Sequence, residues 1–152
     1  MISQPTQVKL TDVIAPAFYA LHWDVYEGQH TYYKLDGGRG SCKSSFAGSE
    51  IILGMMQDAQ DGKPTNAVAF RRYFNDLHDS VYEQLLWAIN KLEVAHLWHD
   101  TVSPLKLTYK PTGQVILFRG ADKVTKAKSI KVSKGYIKYL WFEELDEFEG
   151  PE

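Results

Sequence analysis

The chain has 152 residues, of which 44% are apolar, 24% charged and 13% aromatic. These proportions exclude a disordered tail, a collagen-like repeat and a coiled-coil rod. Its one cysteine, Cys42, excludes an internal disulfide and a multi-cysteine zinc site. No apolar run approaches the ~18 residues of a membrane span, and the first residues do not resemble a signal peptide. We therefore expect one globular, soluble, intracellular domain.

The net charge of −2 conceals an uneven distribution of charged residues. Six of the 19 acidic residues lie in the last ten positions. Residues 106–138 instead hold nine basic residues and a single acidic one, Asp122. Such a basic segment fits either a solvated face or the electrostatic footprint of a nucleic-acid partner, and charge alone leaves both interpretations open.

The first predicted elements frame a glycine-rich loop. Residues 16–23 predict a short aromatic helix with a proline in its first turn, ending near Gly28. The β-forming residues 31–35 predict a strand that enters a tight loop at residues 36–41. Beyond the loop, apolar residues recur at the four-residue spacing of a helix that packs on a sheet. They are Ala47, Ile51 and Met55.

A second strand and helix follow. After a turn at residues 61–64, the apolar run 67–70 is typical of a buried parallel strand, and it ends at Arg71 and Arg72. Asn75 or Asp76 can cap the next helix, which we predict to be the longest in the chain. Its apolar stripe consists of Leu77, Val81, Leu85, Ile89 and Leu92.

The last third of the chain predicts β structure. Residues 105–109 and 115–118 flank a Pro-Thr-Gly turn and predict a hairpin. Residues 136–142 form an apolar strand that ends directly at Glu143 and Glu144.

The loop after the first predicted strand fits a phosphate-binding motif, which consists of Gly, four residues, then Gly-Lys-Ser/Thr. In such a loop, backbone N–H groups surround phosphate oxygens, Lys43 would neutralise phosphate charge and Ser44 would bind Mg2+. Cys42 stands where the second glycine belongs, and the alternative is a glycine-rich turn with a surface lysine. The predicted nucleotide-binding residues are Gly37, Gly38, Arg39, Gly40, Ser41, Cys42, Lys43, Ser44 and Ser45.

The acidic pair at the end of the last strand predicts hydrolysis. The first carboxylate, Glu143, would lie near a metal and its water shell, and the second, Glu144, would polarise an attacking water. A phosphotransferase for a small molecule needs no second carboxylate of this kind. The alternative is a solvated acidic strand end.

Together these motifs resemble the large subunit of bacteriophage terminases, the ATP-driven DNA-packaging motors, of the PBSX-like type. The resemblance covers roughly residues 14–150 in family order. It rests on residues 37–46, on Arg71-Arg72 followed by Asp79-Ser80-Val81, on Thr112-Gly113 before residues 116–120, and on residues 141–145.

The resemblance implies an α/β fold, a three-layer P-loop NTPase of the additional-strand catalytic-glutamate type, with a mainly parallel sheet that is incomplete at the C-terminus. It implies ATP and Mg2+ as cofactors, Lys43 and Ser44 at the phosphates and Mg2+, and Glu143 at the metal. Glu144 would act on the hydrolytic water. Arg39 would stabilise the γ-phosphate, unless it is a solvated loop arginine.

Two further assignments stay open on sequence alone. Arg71 and Arg72 would reach the same site or a neighbouring subunit, or serve a structural role. The aromatic segment 18–26 lies where the family holds adenine, and core packing is the alternative.

The resemblance also implies a function and partners. Residues 1–152 would form a single, C-terminally truncated ATPase domain without the nuclease domain, so that no nuclease activity is expected. In the full motor, a homo-oligomeric ring in the host cytoplasm would move double-stranded phage DNA into the procapsid, with the small terminase subunit and the portal protein as partners. The alternatives are an inactive remnant that binds nucleotide or DNA without turnover, and a P-loop kinase, which Glu143 and Glu144 disfavour.

Overall fold

The computed structural model describes residues 7–123 and 130–148. Three α-helices are present in this part of the chain: α1 (Tyr19–Glu27), α2 (Lys43–Gln60) and α3 (Glu83–Lys91). Five strands accompany them: β1 (Thr65–Arg71), β2 (Trp98–Val102), β3 (Leu105–Tyr109), β4 (Gln114–Gly120) and β5 (Tyr136–Phe142). Short 3-10 turns and one π-helical turn, His78–Tyr82, join these elements.

The five strands form one sheet in the order β2-β3-β4-β1-β5. β1 is parallel to both β4 and β5, whereas β3 is antiparallel to β2 and β4. Four of the five strands therefore point in the same direction, as the mainly parallel prediction requires. The carboxyl ends of β1 and β5 lie side by side, and such an edge is where α/β folds commonly bind ligands.

One face of the sheet carries the core. Helices α2 and α3 pack against it, and the fully buried side chains Ile52, Met55, Leu85 and Ile116 belong to a single apolar cluster. On the outer strand β5, Leu140 is still 58% exposed. In the described part of the chain, helices α2 and α3 thus cover one face of the sheet. The three-layer arrangement, with helices on both faces, stays a prediction.

The N-terminal helix is held against α2. Phe18 stacks on Phe46 with ring centroids 4.6 Å apart, and His22 Nδ1 lies 2.5 Å from Glu50 Oε1. α1 ends at Gly28, whose φ of 66° is the left-handed conformation that closes many helices. The predicted aromatic helix and its end are confirmed. None of the helices in the described ranges has the length and apolar character to cross a membrane.

The predicted strand at residues 31–35 is wrong. This segment is irregular and largely exposed, although its residues favour β structure. A strand is stable only when its backbone pairs with a neighbour, and the observed strand order leaves it no partner in the described sheet.

Two other details of the prediction differ from the structure. Asn75 and Asp76 do not cap a helix with their side chains but lie in the 3-10 turn Phe74–Asp76, which precedes the π-helical turn and α3. Among the described residues the longest helix is α2, with 18 residues, and not α3 with the π-helical turn that precedes it. The predicted apolar stripe is nevertheless buried, and the predicted hairpin is confirmed as β3 and β4. Strand β2 was not predicted.

A polar cluster fixes the edge strand β5 to α2. The Asp58 carboxylate accepts hydrogen bonds from Tyr139 Oη at 2.7 Å, from Thr65 Oγ1 at 2.7 Å and from Lys138 Nζ at 3.0 Å. Burial alone would raise the pKa of Asp58, but these hydrogen bonds outweigh it and hold the pKa below its usual value. The charged form of Asp58 therefore stabilises the fold.

We expect Asp58→Asn to lower the free energy of unfolding by on the order of 2 kcal/mol at neutral pH, because charge-assisted hydrogen bonds are lost. A depressed carboxyl pKa stabilises the fold above the unfolded value of about 3.9, and this stabilisation is lost as pH falls through the folded value. The difference in Tm between wild type and variant should thus shrink below about pH 4. Asp61→Asn, in the exposed turn, is the control; a gap that persists in acid contradicts the assignment.

Candidate functional site

The glycine-rich loop is a tight turn directly before α2. Gly37 and Gly40 have φ angles of 155° and 78°, which side chains rarely tolerate. Lys43 is the first residue of α2, and its Nζ donates a hydrogen bond back to the Gly37 carbonyl across the loop. The loop therefore presents a lysine ammonium and the N-terminal end of an 18-residue helix at one place.

The first turn of α2 suits an anion. The first N–H groups of a helix have no intrahelical acceptor, and the helix dipole places partial positive charge there. The first regular bond of α2 runs from the Phe46 N–H to the Cys42 carbonyl at 2.9 Å. The amides of Lys43, Ser44 and Ser45 precede it, so this end of the helix can bind phosphate oxygens.

Cys42 adopts a backbone conformation that usually belongs to glycine. Its φ is 61°, in the left-handed region, and it caps α2. A side chain in this region costs about 1–2 kcal/mol. The strained residue lies where the phosphate-loop motif places glycine, which explains why glycine is usual at this position.

We expect Cys42→Gly to raise the free energy of unfolding by about 0.5–1 kcal/mol, because relief of strain exceeds the entropy cost of glycine. Cys42→Val should lower it by about 1–2 kcal/mol, since a β-branched residue is an outlier at positive φ. Urea unfolding of the three proteins measures both changes. Equal stability of the glycine and valine variants would show that Cys42 is unstrained.

The first glutamate of the acidic pair contacts the start of α2, directly after the glycine-rich loop. Ser44 Oγ donates a hydrogen bond to Glu143 Oε1 at 2.5 Å, although the two residues are 99 positions apart in sequence. The second oxygen, Oε2, accepts a hydrogen bond from Trp141 Nε1 at 3.1 Å. Both Glu143 oxygens are thus directed by named partners. The two motifs identified from sequence occupy one place in the fold.

Glu144 is exposed and has a φ of 53°, an unusual conformation for a residue other than glycine. Its carbonyl accepts the Glu147 N–H at 2.9 Å, which starts the 3-10 turn Leu145–Phe148. Strained backbone of this kind is frequent at functional sites. Here it accompanies the sharp turn that follows β5.

The donor chemistry of Ser44 and Glu143 fits Mg2+. Ser44 Oγ and Glu143 Oε1 are neighbouring oxygen donors, one hydroxyl and one carboxylate, and oxygen is the ligand type that Mg2+ prefers. Mg2+ is usually bound by one or two protein oxygens together with substrate phosphates. Within residues 7–123 and 130–148, no cluster of three His, Cys, Asp or Glu side chains offers an alternative all-protein site.

The arginines differ in their surroundings. Arg39 is exposed at the tip of the loop. Arg71 and Arg72, at the carboxyl end of β1, both reach the turn after the acidic pair: Arg72 Nη1 donates to the Glu147 carbonyl at 2.8 Å, and Arg71 Nη2 lies 3.7 Å from Glu147 Oε1. The structure therefore gives Arg71 and Arg72 contacts with the turn that follows Glu144.

A cavity of about 290 Å³ opens beside the loop. Cys42, Ser45 and Phe46 line it on the loop side, and residues 11–16 with Trp87 complete it. Ser45 Oγ donates to Gln84 Oε1 on α3 at 3.2 Å. Apart from Phe18, which stacks on Phe46 outside this lining, the segment 18–26 belongs to α1. The aromatic residues suggested for adenine thus lie outside the cavity wall.

The basic segment is dispersed in the structure. Lys106, Arg119 and Lys138 lie on three different strands, and Lys138 is paired with Asp58. Residues 124–129, which include Lys126 and Lys128, lie outside the described residues. The nucleic-acid interpretation of this segment stays a prediction.

Comparisons with known proteins identify relatives of this chain. A family model described as phage terminase large subunit matches residues 29–152. The chain is 45% identical over 146 residues to the terminase large subunit of Bacillus phage SPP1, covering 96% of this chain and 33% of that protein. It is 30% identical over 128 residues to the PBSX phage terminase large subunit of Bacillus subtilis (strain 168), covering 83% of this chain and 27% of that protein.

The chain therefore spans only about a quarter to a third of the length of these relatives. The family match includes the loop, α2, the whole sheet and the acidic pair. The resemblance inferred from the sequence motifs is confirmed: the chain belongs to the phage terminase large subunit family.

Proposed function

We propose that this chain is the ATP-binding and ATP-hydrolysing segment of a terminase large subunit. The contact between Ser44 and Glu143 carries the proposal, because it joins a phosphate-type loop to an acidic strand end. Neither motif alone is specific. Their meeting at the carboxyl edge of co-directional strands is the arrangement that P-loop hydrolysis requires.

Each residue has a distinct role in this proposal. The loop amides and Lys43 would bind the β- and γ-phosphates, and Ser44 and Glu143 would hold Mg2+. When bound, the metal ion would neutralise charge on the phosphate oxygens as a Lewis acid. Glu144 would orient the attacking water and accept its proton, and exposed Arg39 would approach the γ-phosphate.

The nucleotide base would enter the cavity beside the loop. Its position next to Cys42 and Ser45 fits a base attached to phosphates held by the same loop. Phe46 and Trp87 supply aromatic surface, and Trp87 is 40% exposed and thus accessible for stacking. We prefer this cavity over the α1 aromatics as the adenine site.

The wider function belongs to the longer protein. We propose that it powers translocation of double-stranded phage DNA into the procapsid, as a ring of subunits with the small subunit and portal as partners. The described residues would form part of a three-layer P-loop fold of the catalytic-glutamate type. The apolar side chains exposed on β5 support that view, because a complete fold of this class has helices on both faces.

Calorimetric titration of the purified chain with Mg-ATP tests the proposed function. We expect saturable 1:1 binding, weakened about 100-fold or more by Lys43→Ala, since the charged phosphate contact is lost. Lys63→Ala removes an exposed lysine beyond the far end of α2 and serves as the control. A folded wild-type chain that does not bind Mg-ATP, or equal binding by both variants, contradicts the proposal.

A further inference from the structure

Trp141 is an anchored side chain that contacts the metal-site carboxylate. It lies on β5, pairs with Ala69 of β1 and is only 8% exposed within the apolar core. Glu143 directly follows β5, and its N–H extends the strand pairing by one bond to the Phe70 carbonyl of β1, so the indole and the carboxylate lie close together. The 3.1 Å hydrogen bond from Nε1 to Glu143 Oε2 is the result.

The side chains of Trp141 and Glu143 differ in conformational freedom. The Trp141 ring is enclosed by the core and has only two side-chain torsions. Glu143 is half-buried beyond the end of β5 and has three torsions, and its backbone is fixed by the N–H bond to the Phe70 carbonyl at 3.0 Å. The rigid indole therefore restricts the flexible carboxylate, and not the reverse.

The hydrogen bond also gives the two carboxylate oxygens of Glu143 different partners. With Oε2 held by Trp141, Oε1 is the oxygen that faces Ser44 at the start of α2. Without the indole donor, only the Ser44 hydroxyl, among the described residues, would hold the carboxylate, and the second oxygen would be free to turn away. One donor thus selects the rotamer in which Glu143 and Ser44 stand side by side.

We propose that Trp141 is a positioning residue that holds Glu143 in the orientation for binding a divalent metal with the nucleotide. This proposal rests on the proposed nucleotide function of the site. Partners that orient a metal ligand through a hydrogen bond typically contribute about 10–100-fold to metal affinity or activity, and an effect of this size is expected here. In this role Trp141 acts through its hydrogen bond to Glu143 and not as a metal ligand, since an indole N–H is only a donor.

Trp98 provides a matched control. It is 6% exposed and belongs to the same apolar cluster, but its Nε1 has no hydrogen-bond partner in the part of the chain that the structure describes. Replacement by phenylalanine removes an indole N–H at both positions. Only the change at position 141 removes a hydrogen bond to the site.

The experiment measures ATP affinity by calorimetry for wild type, Trp141→Phe and Trp98→Phe, each in excess Mg2+ and in EDTA. The ratio of the two affinities isolates the contribution of the metal. We expect Trp141→Phe to reduce this ratio about 10-fold and to leave affinity in EDTA unchanged. Trp98→Phe should leave the ratio at its wild-type value, even if both variants lower Tm.

If Trp141→Phe does not fold, a second measurement tests the hydrogen bond between Trp141 and Glu143. In the wild-type chain, the Trp141 indole N–H gives an assigned ¹H-¹⁵N resonance, and Glu143→Gln should shift it because a neutral amide oxygen is a weaker acceptor. The other indole resonances should remain in place.

These outcomes separate the two claims. If wild type binds Mg-ATP but the affinity ratios of both tryptophan variants equal that of wild type, Trp141 is only a core residue. An unmoved Trp141 resonance in Glu143→Gln leads to the same conclusion. If wild type shows no Mg-dependent ATP binding, the proposed function fails and the positioning role fails with it.

Discussion

Glu144→Gln should reduce ATP turnover about 10²–10⁴-fold while Mg-ATP affinity stays within about twofold of wild type. The amide keeps the size of the side chain but cannot accept a proton from the attacking water. Binding should be preserved because Glu144 is exposed and the proposed phosphate contacts come from the loop. Phosphate release measured at saturating Mg-ATP, beside a calorimetric titration, separates the two effects.

Asp146→Asn is the matched control for this variant. Asp146 is exposed, lies two residues further along and carries the same charge as Glu144. If both substitutions reduce turnover equally, the effect comes from the net charge of this acidic segment. If Glu144→Gln retains full activity, another group activates the water.

Glu143→Gln and Ser44→Ala should each weaken Mg2+-dependent ATP binding about 10–100-fold, because the first removes the negative charge of a proposed metal ligand and the second removes a proposed ligand oxygen. The two effects should be less than additive in the double variant, since both residues serve one ion and already share a hydrogen bond. Titrations of the wild type, the two single variants and the double variant with ATP, in Mg2+ and in EDTA, complete this double-mutant cycle.

Two results of this double-mutant cycle would contradict a shared metal site. Fully additive effects would mean that the two residues act at separate places, and their contact would then be only structural. Equal losses in EDTA and in Mg2+ would mean that the substitutions damage the loop and not a metal site.

The local features of this fold could be predicted from sequence. Helix α2 is visible because Ala47, Ile51 and Met55 mark one face, and a buried strand such as β1 is a continuous apolar run. The tight loop required glycine at Gly37 and Gly40, where φ is positive. In each case the signal lies within a few consecutive turns or residues.

Features that depend on distant partners could not be predicted in the same way. Residues 31–35 have the composition of a strand, but whether they pair is decided by the strand order of the whole sheet. Strand β2 begins with a buried Trp98 and continues with exposed polar residues, so its alternation is weak. Its identity comes from pairing with β3.

The candidate site shows the same division. Motif order and the family resemblance suggested that Ser44 and Glu143 belong together, but their contact across 99 residues is a property of the fold. The contact of Trp141 with the site was not predicted, although its position two residues before Glu143, at the end of β5, was a usable signal. The cavity wall from residues 11–16 was not predicted, because a short segment without periodicity does not indicate which distant residues it packs against.

The most direct test of the central claim is an assigned ¹H-¹⁵N amide spectrum of the chain, titrated with Mg2+ and a non-hydrolysable ATP analogue. If the loop and the acidic pair form one nucleotide site, the largest shifts fall at residues 37–45 together with Glu143 and Glu144. Shifts that occur elsewhere, for example in residues 106–123, while the loop amides stay unchanged, would contradict the account.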